Sequence, residues 1–435
     1  MSTKRHWIAE LARKRPGMVL FSLHHVIDLE WMQEAYALTR KDGATGIDGV
    51  TAAEYEMNLE ANLKDLRERI ISGRYVAPPV RRAYIPKPDG AQRPLGIPTF
   101  EDKVAQRAIA MVLEAVYEQD FRVCSFGFRP RRSAHGALRS LHGAIMRGQH
   151  WVVEVDIRKY FDSIPHHHLR KFLDQRVTDG VIRRMIDKWL KAGVLEHGHL
   201  HRETEGTPQG GVISPILSNI FLHHVLDEWF EREVRSYLKG QSTLVRFADD
   251  FVLTFKNHDD AKRVLELLGE RFGRFGLTLH PDKTRFIDFR PQRPSGMHPD
   301  CQEPPFDFLG FTHAWGKSKN EKTVVRQVTA KSRLARALRA VSEWCRANRH
   351  RPILKQHERL ADKLQGHYAY YGITGNMRQL QRYYTQVRRL WRKWLERRTS
   401  SKSLTWDRFN KFHLPHPLPS PKIVHSYAPA SQALP

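Results

Sequence analysis

The segment LVRFADDFVLTF, residues 244–255, places two adjacent aspartates between two apolar runs that are rich in β-prone residues. Asp249 and Asp250 have two interpretations. They can form the polar turn of a plain β-hairpin, because aspartate tolerates turn geometry. They can also hold a cation, because carboxylates on a tight turn are hard oxygen ligands that suit Mg²⁺. The two residues alone favour the plain turn, since short motifs often match by chance.

The composition is that of a folded protein with more than one domain. The chain has 435 residues, 40% of them hydrophobic, which predicts two or three domains. No apolar run is long enough to span a membrane, and the basic N-terminal stretch lacks the long apolar core of a secretion signal. Cys124, Cys301 and Cys345 are far apart, which argues against a disulfide framework and a cysteine-based zinc site. We expect a reducing, cytoplasmic location.

Positive charge is concentrated in one part of the chain. The formal net charge is +25, and residues 316–400 contribute +17 of it, with 22 Lys and Arg against 5 Asp and Glu. Charge of one sign at this density predicts binding to a polyanion. A face that only confers solubility and an anionic membrane surface are less favoured alternatives, because solubility does not need charge of one sign and no lipid anchor is visible.

Hydrophobic periodicity predicts an alternation of helices and strands. Residues 1–75 favour helices with short breaks, and residues 75–99 carry Pro and Gly at hairpin positions. The run WVVEVDI has the composition of a buried strand. From residue 316 to Arg398 the pattern is helical and basic, and the Pro-rich tail after it cannot form a regular helix.

A third carboxylate stands at the end of the predicted strand WVVEVDI. Asp156 lies 93 positions before Asp249, so the fold must bring the two together if they are to act jointly. Two-metal nucleotidyl transfer needs such a set, because carboxylates hold two Mg²⁺ ions that stabilise the attacking and leaving oxygens of an in-line displacement. A capping aspartate at the end of a strand is an equally good interpretation of Asp156 taken alone.

The segment GTPQGGVISPILSNIFLH, residues 206–223, joins glycines to the start of a long apolar helix. Glycines allow the backbone to approach a ligand closely, and a helix N-terminus favours anions. A plain entry from a loop into a helix is the alternative, with Ser214 and Pro215 near the helix start.

Seven blocks in a fixed order resemble the group II intron-encoded reverse transcriptase/maturase family. They extend over about residues 43–312 and read RRAYIPKPDGAQRPLGIPT, FGFRPRRSAHGAL, VVEVDIRKYFDSI, GTPQGGVISPILSNIFLH, RFADDFVL, GLTLHPDKT and FDFLGFT. HYAYYGITGN, residues 367–376, and the basic helices around it resemble the maturase thumb. The resemblance is to the compact bacterial members that lack an endonuclease domain, so we do not expect this chain to cleave target DNA.

The resemblance implies an α+β fold of the right-hand polymerase type. Fingers and palm with antiparallel sheet are followed by an α-helical thumb. The implied domains are an N-terminal extension (1–50), the fingers and palm (51–315), the thumb or maturase domain (316–400) and a short DNA-binding tail (401–435).

The same resemblance assigns catalytic roles. The implied ligands of two Mg²⁺ ions are Asp156, Asp249, Asp250 and the backbone carbonyl of Ile157. Phe247 and Ala248 belong to the catalytic hairpin. The family usually has Tyr at the position of Phe247, so we expect altered fidelity or rate rather than loss of activity. Lys283 matches a lysine near the leaving pyrophosphate that can act as a general acid.

Four further positions match residues around the incoming nucleotide. Lys87 and Arg93 match cations that grip the triphosphate. Phe161 matches an aromatic gate that leaves no room for a 2′-hydroxyl and so separates dNTPs from rNTPs. Gln209 matches a residue that contacts the incoming nucleotide. Without the resemblance, Phe161 is an ordinary core residue and the two cations belong to a basic hairpin surface.

The segment MRQLQRYYTQVRRLWRKWLERR combines an apolar stripe with basic residues at helical spacing. The stripe predicts a core-facing side and consists of Leu380, Tyr383, Val387, Leu390, Trp391 and Trp394. The basic residues predict phosphate contacts to RNA and are Arg378, Arg382, Arg389, Arg392 and Lys393.

Two groups of histidines are weaker candidates for a transition-metal site. One is HHH at residues 166–168, and the other consists of His197, His199 and His201 in EHGHLHRE. A surface hairpin is the better interpretation of the second group, because no carboxylate or cysteine partner is evident.

We therefore expect an RNA-directed DNA polymerase that also binds its intron RNA and assists splicing and mobility. The expected partners are group II intron RNA, an RNA template with a DNA primer, dNTPs and target DNA, with no membrane, in a cytoplasmic ribonucleoprotein associated with the nucleoid. The alternatives are a domesticated relative in DNA repair or defence, and a chiefly non-catalytic splicing maturase.

Overall fold

The computed structural model describes residues 3–86, 90, 92–196, 199–201, 205–206, 210–291, 296, 298, 300–318, 320–398, 404–413 and 417–427. By its internal packing the chain divides into two units. The first comprises Met1–Ala137 and Val153–Arg285, and the second comprises Leu138–Val152 and Phe286–Pro435. Among the described residues, no helix is both long and apolar enough to cross a membrane.

About half of the first unit is helical. Its helices are α1 (Thr3–Lys14), α2 (Leu29–Leu38), α3 (Ala52–Glu56), α4 (Leu59–Ser72), α5 (Phe100–Tyr117), α7 (His166–Asp174), α8 (Gly180–Lys191), α9 (Ser214–Leu222) and α10 (His258–Arg274). Its strands are β1 (Val80–Pro86), β2 (Gln92–Ile97), β4 (Val194–Glu196), β5 (His199–His201), β6 (Ser242–Phe247) and β7 (Asp250–Phe255). Three elements span the division of the chain: α6 (Ala134–Met146), β3 (Trp151–Val155) and β8 (Arg285–Asp288).

Helix α5 forms the centre of the core of the first unit, since its side chains are buried along nearly its whole length. It begins at Thr99, whose hydroxyl accepts a hydrogen bond from the backbone N–H of Asp102 at 3.2 Å. The buried Asp102 carboxylate accepts hydrogen bonds from Tyr75 Oη and Trp189 Nε1, both at 2.6 Å. This carboxylate therefore ties α5 to α8 and to the segment that leads into β1.

One sheet of the first unit has the strand order β2-β1-β4-β5. Strands β1 and β2 form the predicted antiparallel hairpin, in which Arg81 pairs with Ile97 and Pro86 with Gln92. Strands β4 and β5 form a second hairpin, on which His199 and His201 are exposed. The surface-hairpin interpretation of these two histidines is confirmed, and His197 lies outside the described residues.

A second sheet has the strand order β6-β7-β3-β8. Strands β6 and β7 pair antiparallel from Ser242–Phe255 to Phe247–Asp250. Strand β7 is buried on both faces after its first residue, as its run of apolar side chains predicts. The predicted strand WVVEVDI and the predicted hairpin at residues 244–255 are both confirmed.

The second unit combines a small sheet with a helical bundle. Its antiparallel sheet has the order β11-β10-β9, with β9 (Phe306–Phe308), β10 (Phe311–Lys317) and β11 (Thr323–Thr329). Its helices are α11 (Lys331–Asn348), α12 (Ile353–Tyr371), α13 (Met377–Glu396) and α14 (Trp406–His413). The predicted apolar stripe of α13 packs into the core of the bundle, where Trp391 is 1% exposed. Helices and antiparallel strand pairs together confirm the α+β class.

The predicted start of the helical region at residue 316 is wrong. Residues Thr323–Thr329 form β11, which pairs antiparallel with β10, and the first helix begins at Lys331. The sequence TVVRQVT explains the difference, because five of its seven residues are β-branched and such residues favour a strand. The basic charge of this region misled the prediction, since charge alone does not distinguish a helix from an exposed strand.

All three cysteines are buried and free, so the expected absence of disulfides among them is confirmed. Burial raises the pKa of the Cys301 thiol to about 11 and that of Cys345 to about 12. Burial also raises the pKa of Cys124. The three thiols therefore remain protonated at neutral pH.

Candidate active site

The turn between β6 and β7 carries the aspartate pair. Phe247 pairs with Asp250, so Ala248 and Asp249 are the two residues of a tight hairpin turn. Only Ala248 of these two has a positive φ, 58°, in a position where hairpin turns usually place glycine. A side chain in this conformation costs on the order of 1 kcal/mol or more, so the surrounding structure must hold the turn in place.

A buried arginine beneath the turn supplies this support. The side chain of Arg246 is completely buried and donates to both carboxylate oxygens of Asp227, at 2.8 and 2.5 Å. It also donates to Asn219 Oδ1 at 2.9 Å and to the carbonyl oxygen of Ala248 at 3.0 Å. A buried charge is tolerated only when it is paired and hydrogen-bonded in this way. The bond to Ala248 fixes the backbone of the turn.

The segment around Gly127 closes against the same turn. A Cβ atom on Gly127 would lie 2.3 Å from the backbone nitrogen of Ala248, so this position has room only for glycine. Asn219 Nδ2 donates to the carbonyl oxygen of Gly127 at 2.8 Å, and Phe126 N donates to that of Arg246 at 2.8 Å. This segment belongs to the block FGFRPRRSAHGAL, whose sequence alone gives no sign of a role in holding the turn.

Asp156 follows β3, and a second segment of the chain holds its backbone in place. His280 N donates to the carbonyl oxygen of Asp156 at 2.8 Å, and Arg158 N donates to that of Thr278 at 2.9 Å. These bonds flank the bridge between Ile157 and Leu279, so the bridge does not use the carbonyl oxygen of Ile157. The loop of the GLTLHPDKT block is thereby held beside Asp156.

Lys283 lies beside the Asp156 carboxylate, as a functional pairing requires. Its Nζ donates to Asp156 Oδ2 at 3.0 Å, while 62% of the lysine side chain and 31% of the aspartate side chain remain exposed. The ammonium group is therefore close to a carboxylate and still reachable from solvent.

Electrostatics connect Asp249 with Asp156 across the sequence gap. Burial raises the pKa of the half-buried Asp249, and the negative charge of Asp156 raises it further. The cations of Arg93 and Arg246 act in the opposite direction. The fold therefore brings Asp156, Asp249 and Arg93 into one electrostatic environment. Asp250 is exposed at the start of β7.

The donor set suits a divalent cation. The carboxylates of Asp156 and Asp249 and the carbonyl of Ile157 are hard oxygen donors, which Mg²⁺ and similar ions prefer. Burial is the main cause of the raised pKa of Asp249, and the negative charge of Asp156 adds to it. A bound cation would relieve this repulsion between the carboxylates. Lys283 already places one positive charge against Asp156.

The predicted nucleotide-binding residues lie around this set where the structure describes them. Arg93 is exposed on β2, and Phe161 is half-buried in a 3₁₀ turn, Tyr160–Asp162. The ring of Phe161 packs edge-on against Tyr160, whose hydroxyl donates to the carbonyl oxygen of Ser218 at 2.8 Å. Lys87 and Gln209 lie outside the described residues.

Two glycines of the GTPQGG segment, Gly206 and Gly210, lie very close to neighbouring backbone. A Cβ on Gly206 would lie 2.9 Å from the carbonyl oxygen of Asp162, and one on Gly210 would lie 2.6 Å from that of Gly96 in β2. His166 Nε2 and the carbonyl oxygen of Gly206 lie 2.6 Å apart. Gly206 therefore packs against the turn that carries Phe161, and Gly210 packs against the strand that carries Arg93.

The predicted RNA-binding residues lie on α13 in the second unit. Arg378, Arg382, Arg389 and Lys393 are exposed. At 100° per residue their side chains lie within an arc of about 60° on the helix, along about 22 Å of its length. Arg392 is half-buried. It donates to the carbonyl oxygen of Leu404 at 2.6 Å, and its guanidinium lies 4.7 Å from the ring centre of Trp406. Arg392 therefore helps to hold the segment that leads into α14.

Sequence reasoning missed the support of the hairpin turn. Asn219 lies on α9 and Asp227 on the helical segment that continues from it, 27 and 19 positions before Arg246. One signal was available: Arg246 is a charged residue inside the apolar run LVRF. A charge in a buried strand requires a buried partner, although the sequence does not say which residue supplies it.

Comparison with known proteins shows which protein family and which individual proteins this chain is similar to. A family model described as reverse transcriptase (RNA-dependent DNA polymerase) matches residues 85–313, more than half of the chain. Protein YkfC of Escherichia coli is 36% identical over 293 residues, covering 59% of this chain and 76% of that protein. Group II intron-encoded protein LtrA of Lactococcus lactis is 43% identical over 167 residues, covering 38% of this chain and 28% of that protein. Nuclear intron maturase 4 of Arabidopsis thaliana is 29% identical over 154 residues, covering 35% of this chain and 19% of that protein.

Removing the partner of Arg246 tests the support of the turn. We expect Asp227→Asn to lower the free energy of unfolding of the first unit by about 3–5 kcal/mol, because a buried guanidinium loses its counter-charge. The control, Glu231→Gln, breaks the partly exposed ion pair with Arg235, which should change it by about 1 kcal/mol or less. The measurement is urea unfolding followed by tryptophan fluorescence. Equal losses in the two variants would contradict the proposed role of the Arg246–Asp227 pair.

Proposed function

This chain belongs to the reverse transcriptase (RNA-dependent DNA polymerase) family, and we propose that it copies its own intron RNA into DNA and also binds that RNA to assist splicing and mobility. The observation that carries the proposal is the convergence of Asp156, Asp249, Lys283 and Arg93 around the tight turn between β6 and β7. LtrA and the Arabidopsis maturase, which match shorter parts of this chain, supply the intron context.

The carboxylates of Asp156 and Asp249, with the carbonyl of Ile157, would hold two Mg²⁺ ions. When bound, these ions activate the 3′-hydroxyl of a primer and stabilise the charge that develops on the triphosphate. Asp249 keeps its position because Arg246 fixes the turn from below. Asp250 is the remaining carboxylate assigned to this set. The set holds the reacting groups in line, which is most of what phosphoryl transfer requires of a protein.

Two cations complete the site on the side of the triphosphate. Arg93 offers a forked guanidinium to the phosphate oxygens. Lys283 Nζ, 3.0 Å from Asp156 Oδ2, can donate a proton to the oxygen of the leaving pyrophosphate. Lys87 and Gln209 are assigned to the same nucleotide by the family resemblance.

The aromatic ring of Phe161 is proposed to select the sugar. The turn that carries Phe161 is held by the hydrogen bond of the Tyr160 hydroxyl and by a close contact with Gly206, so the ring has little freedom to move away. A 2′-hydroxyl on the incoming nucleotide would then clash with the ring. The ring of Phe247, beside the primer end in this proposal, lies at a tilt to that of Phe128, with the ring centres 6.5 Å apart.

The exposed basic face of α13 is proposed to bind RNA. Arg378, Arg382, Arg389 and Lys393 form one line of charge along the helix, which suits contacts to successive phosphates. None of these four forms an ion pair with a described residue, so their charge is available to an external polyanion. The tail at residues 401–435 is proposed to contact target DNA, in a cytoplasmic ribonucleoprotein at the nucleoid.

A second candidate function is RNA binding without integration, as in a chiefly splicing maturase or a relative domesticated for DNA repair or defence. The basic face of α13 favours the RNA-binding part of this alternative independently of the carboxylates. The experiments below separate the two activities.

Loss of a metal ligand tests catalysis. We expect Asp249→Ala to reduce primer extension on an RNA template by at least about a hundredfold, because several kcal/mol of transition-state stabilisation are lost. The fold should persist, since Arg246 rather than the Asp249 side chain holds the turn. The control is Asp259→Ala, which removes an exposed carboxylate from α10. Wild-type extension by a folded Asp249→Ala protein would exclude the metal assignment.

Removal of the aromatic ring tests sugar selection. We expect Phe161→Ala to raise the ratio of kcat/KM for rNTP over dNTP by about 10- to 100-fold, because the clash with the 2′-hydroxyl disappears. Single-nucleotide incorporation with matched dNTP and rNTP measures the ratio. The control is Phe21→Ala, which removes an exposed aromatic ring from the segment between α1 and α2. An unchanged ratio would identify Phe161 as a packing residue only.

Neutralisation of α13 tests RNA binding. We expect the variant with Arg378, Arg382, Arg389 and Lys393 all changed to Gln to bind intron RNA more weakly. Each lost phosphate contact should reduce the slope of log K against log salt by about 0.7–0.9. Arg392 stays unchanged because it holds the segment that leads into α14. Filter binding across a salt series measures both quantities.

The control for charge removes the same four positive charges from the first unit. It changes four exposed residues that form local ion pairs, namely Arg13, Arg40, Lys64 and Arg74. We expect this control to keep most of the affinity and slope. If both variants lose affinity equally, net charge rather than the face of α13 binds the RNA. Asp249→Ala should bind intron RNA normally.

A further inference from the structure

A second cluster of ligand-type side chains lies in the helical segment that follows α9. This segment contains two π-helical stretches, His223–Asp227 and Trp229–Glu233. Such wide turns inside a helix occur frequently at functional sites. The first stretch contains His223 and His224. Glu228 is the single residue between the two stretches. Neither the catalytic set nor the RNA-binding face uses these three side chains.

The two imidazoles face one oxygen of a shared carboxylate. His224 Nδ1 lies 3.3 Å from Glu228 Oε2, and His223 Nε2 lies 3.8 Å from the same oxygen. The other oxygen, Oε1, accepts from Arg122 at 3.0 Å and from Arg232 at 3.2 Å. The arginines therefore fix the orientation of the carboxylate and leave Oε2 facing the histidines.

These separations fit a tetrahedral ion. Zinc binds nitrogen and oxygen ligands at about 2.0–2.2 Å, so two ligand atoms on a tetrahedral zinc lie about 3.3–3.5 Å apart. One ligand atom from each of His223, His224 and Glu228 lies within 4.8 Å of the others. Shifts of a few tenths of an ångström to about one ångström would bring all three into ligand distance.

Aromatic packing holds the two histidines in place. His223 is 2% exposed and packs edge-on against Phe121 at 5.5 Å, while His224 stacks on Phe172 at 4.8 Å. Both imidazoles are therefore fixed beside the Glu228 carboxylate, and imidazole nitrogen and carboxylate oxygen are both ligand types that zinc prefers.

The other nitrogen of each ring, His223 Nδ1 or His224 Nε2, is buried and has no hydrogen-bond partner among the described residues. Neither is a proposed ligand atom, since His223 Nε2 and His224 Nδ1 are the nitrogens that face Glu228. A solvent-accessible cavity of about 400 Å³ adjoins the three residues and is lined on its other sides by Tyr117 and Arg176, among others. It has room for a water molecule as a fourth ligand.

We propose that His223, His224 and Glu228 bind one Zn²⁺ ion, with a water from the cavity completing the tetrahedron. Two imidazoles and one carboxylate with an open position form a known type of zinc site. The ion would fix the helical segment that also carries Asp227, the partner of Arg246 beneath the catalytic turn. The site is separate from the proposed Mg²⁺ ligands, whose donors are all oxygens.

The test uses the full chain after treatment with a chelator, and Zn²⁺ and Co²⁺ as probes. We expect one equivalent of Zn²⁺ to bind in isothermal titration calorimetry with millimolar Mg²⁺ present. Co²⁺ at the same site should give the intense visible absorption of a tetrahedral complex. We expect His224→Gln to weaken Zn²⁺ binding at least tenfold and to abolish the tetrahedral spectrum.

Three further variants test whether the loss of Zn²⁺ binding is specific to this site. His6→Gln, which removes an exposed histidine from α1, should leave binding unchanged. Glu228→Gln removes the carboxylate charge, and a circular dichroism melt shows whether each variant is folded. If His224→Gln does not fold, a folded Glu228→Gln protein with at least tenfold weaker binding supports the site on the same terms. Asp249→Ala should retain Zn²⁺ binding, which separates this site from the catalytic one. Wild-type Zn²⁺ affinity in folded His224→Gln or Glu228→Gln proteins, or an octahedral Co²⁺ spectrum in the unchanged chain, would overturn the proposal.

Discussion

The position of the catalytic turn depends on one buried positive charge. Arg246 has no contact with solvent, so its guanidinium must find all its partners inside the protein. It finds them on α9, on the helical segment that continues from α9, and on the turn itself. Because the same group satisfies Asp227, Asn219 and the carbonyl of Ala248, any shift of the helical segment leaves a charge unpaired. The cost of that state keeps Asp249 in place more firmly than packing alone would.

Local patterns predicted the elements of the fold where the relevant physics is local. The hairpin at residues 244–255 followed from two apolar, β-prone runs on either side of turn residues, and the strand before Asp156 followed from a continuous apolar run. The approach of Asp156 to Asp249 was predicted only by the resemblance to a family, since nothing in either segment specifies the other. Strand β11 was missed because its basic and polar residues resemble an exposed helix face, although its β-branched residues favour a strand.

The supports of the site were beyond sequence reasoning for a related reason. The bond between Arg246 and Asp227 and the contact between Gly127 and Ala248 join segments that are distant in sequence. The presence of a glycine in a sequence does not reveal which neighbouring backbone requires it. In the histidine cluster, His224 and Glu228 have ordinary helical spacing, whereas the approach of His223 to Glu228, five residues on, depends on a wide helical turn.

The three buried thiols have a practical consequence. Thiol reagents react with the thiolate, and burial keeps Cys124, Cys301 and Cys345 protonated as well as inaccessible. A single cysteine introduced at an exposed position would therefore be the preferred target of a maleimide dye in the native chain. Fluorescent probes could then report on distances within the working protein, without first replacing its own cysteines.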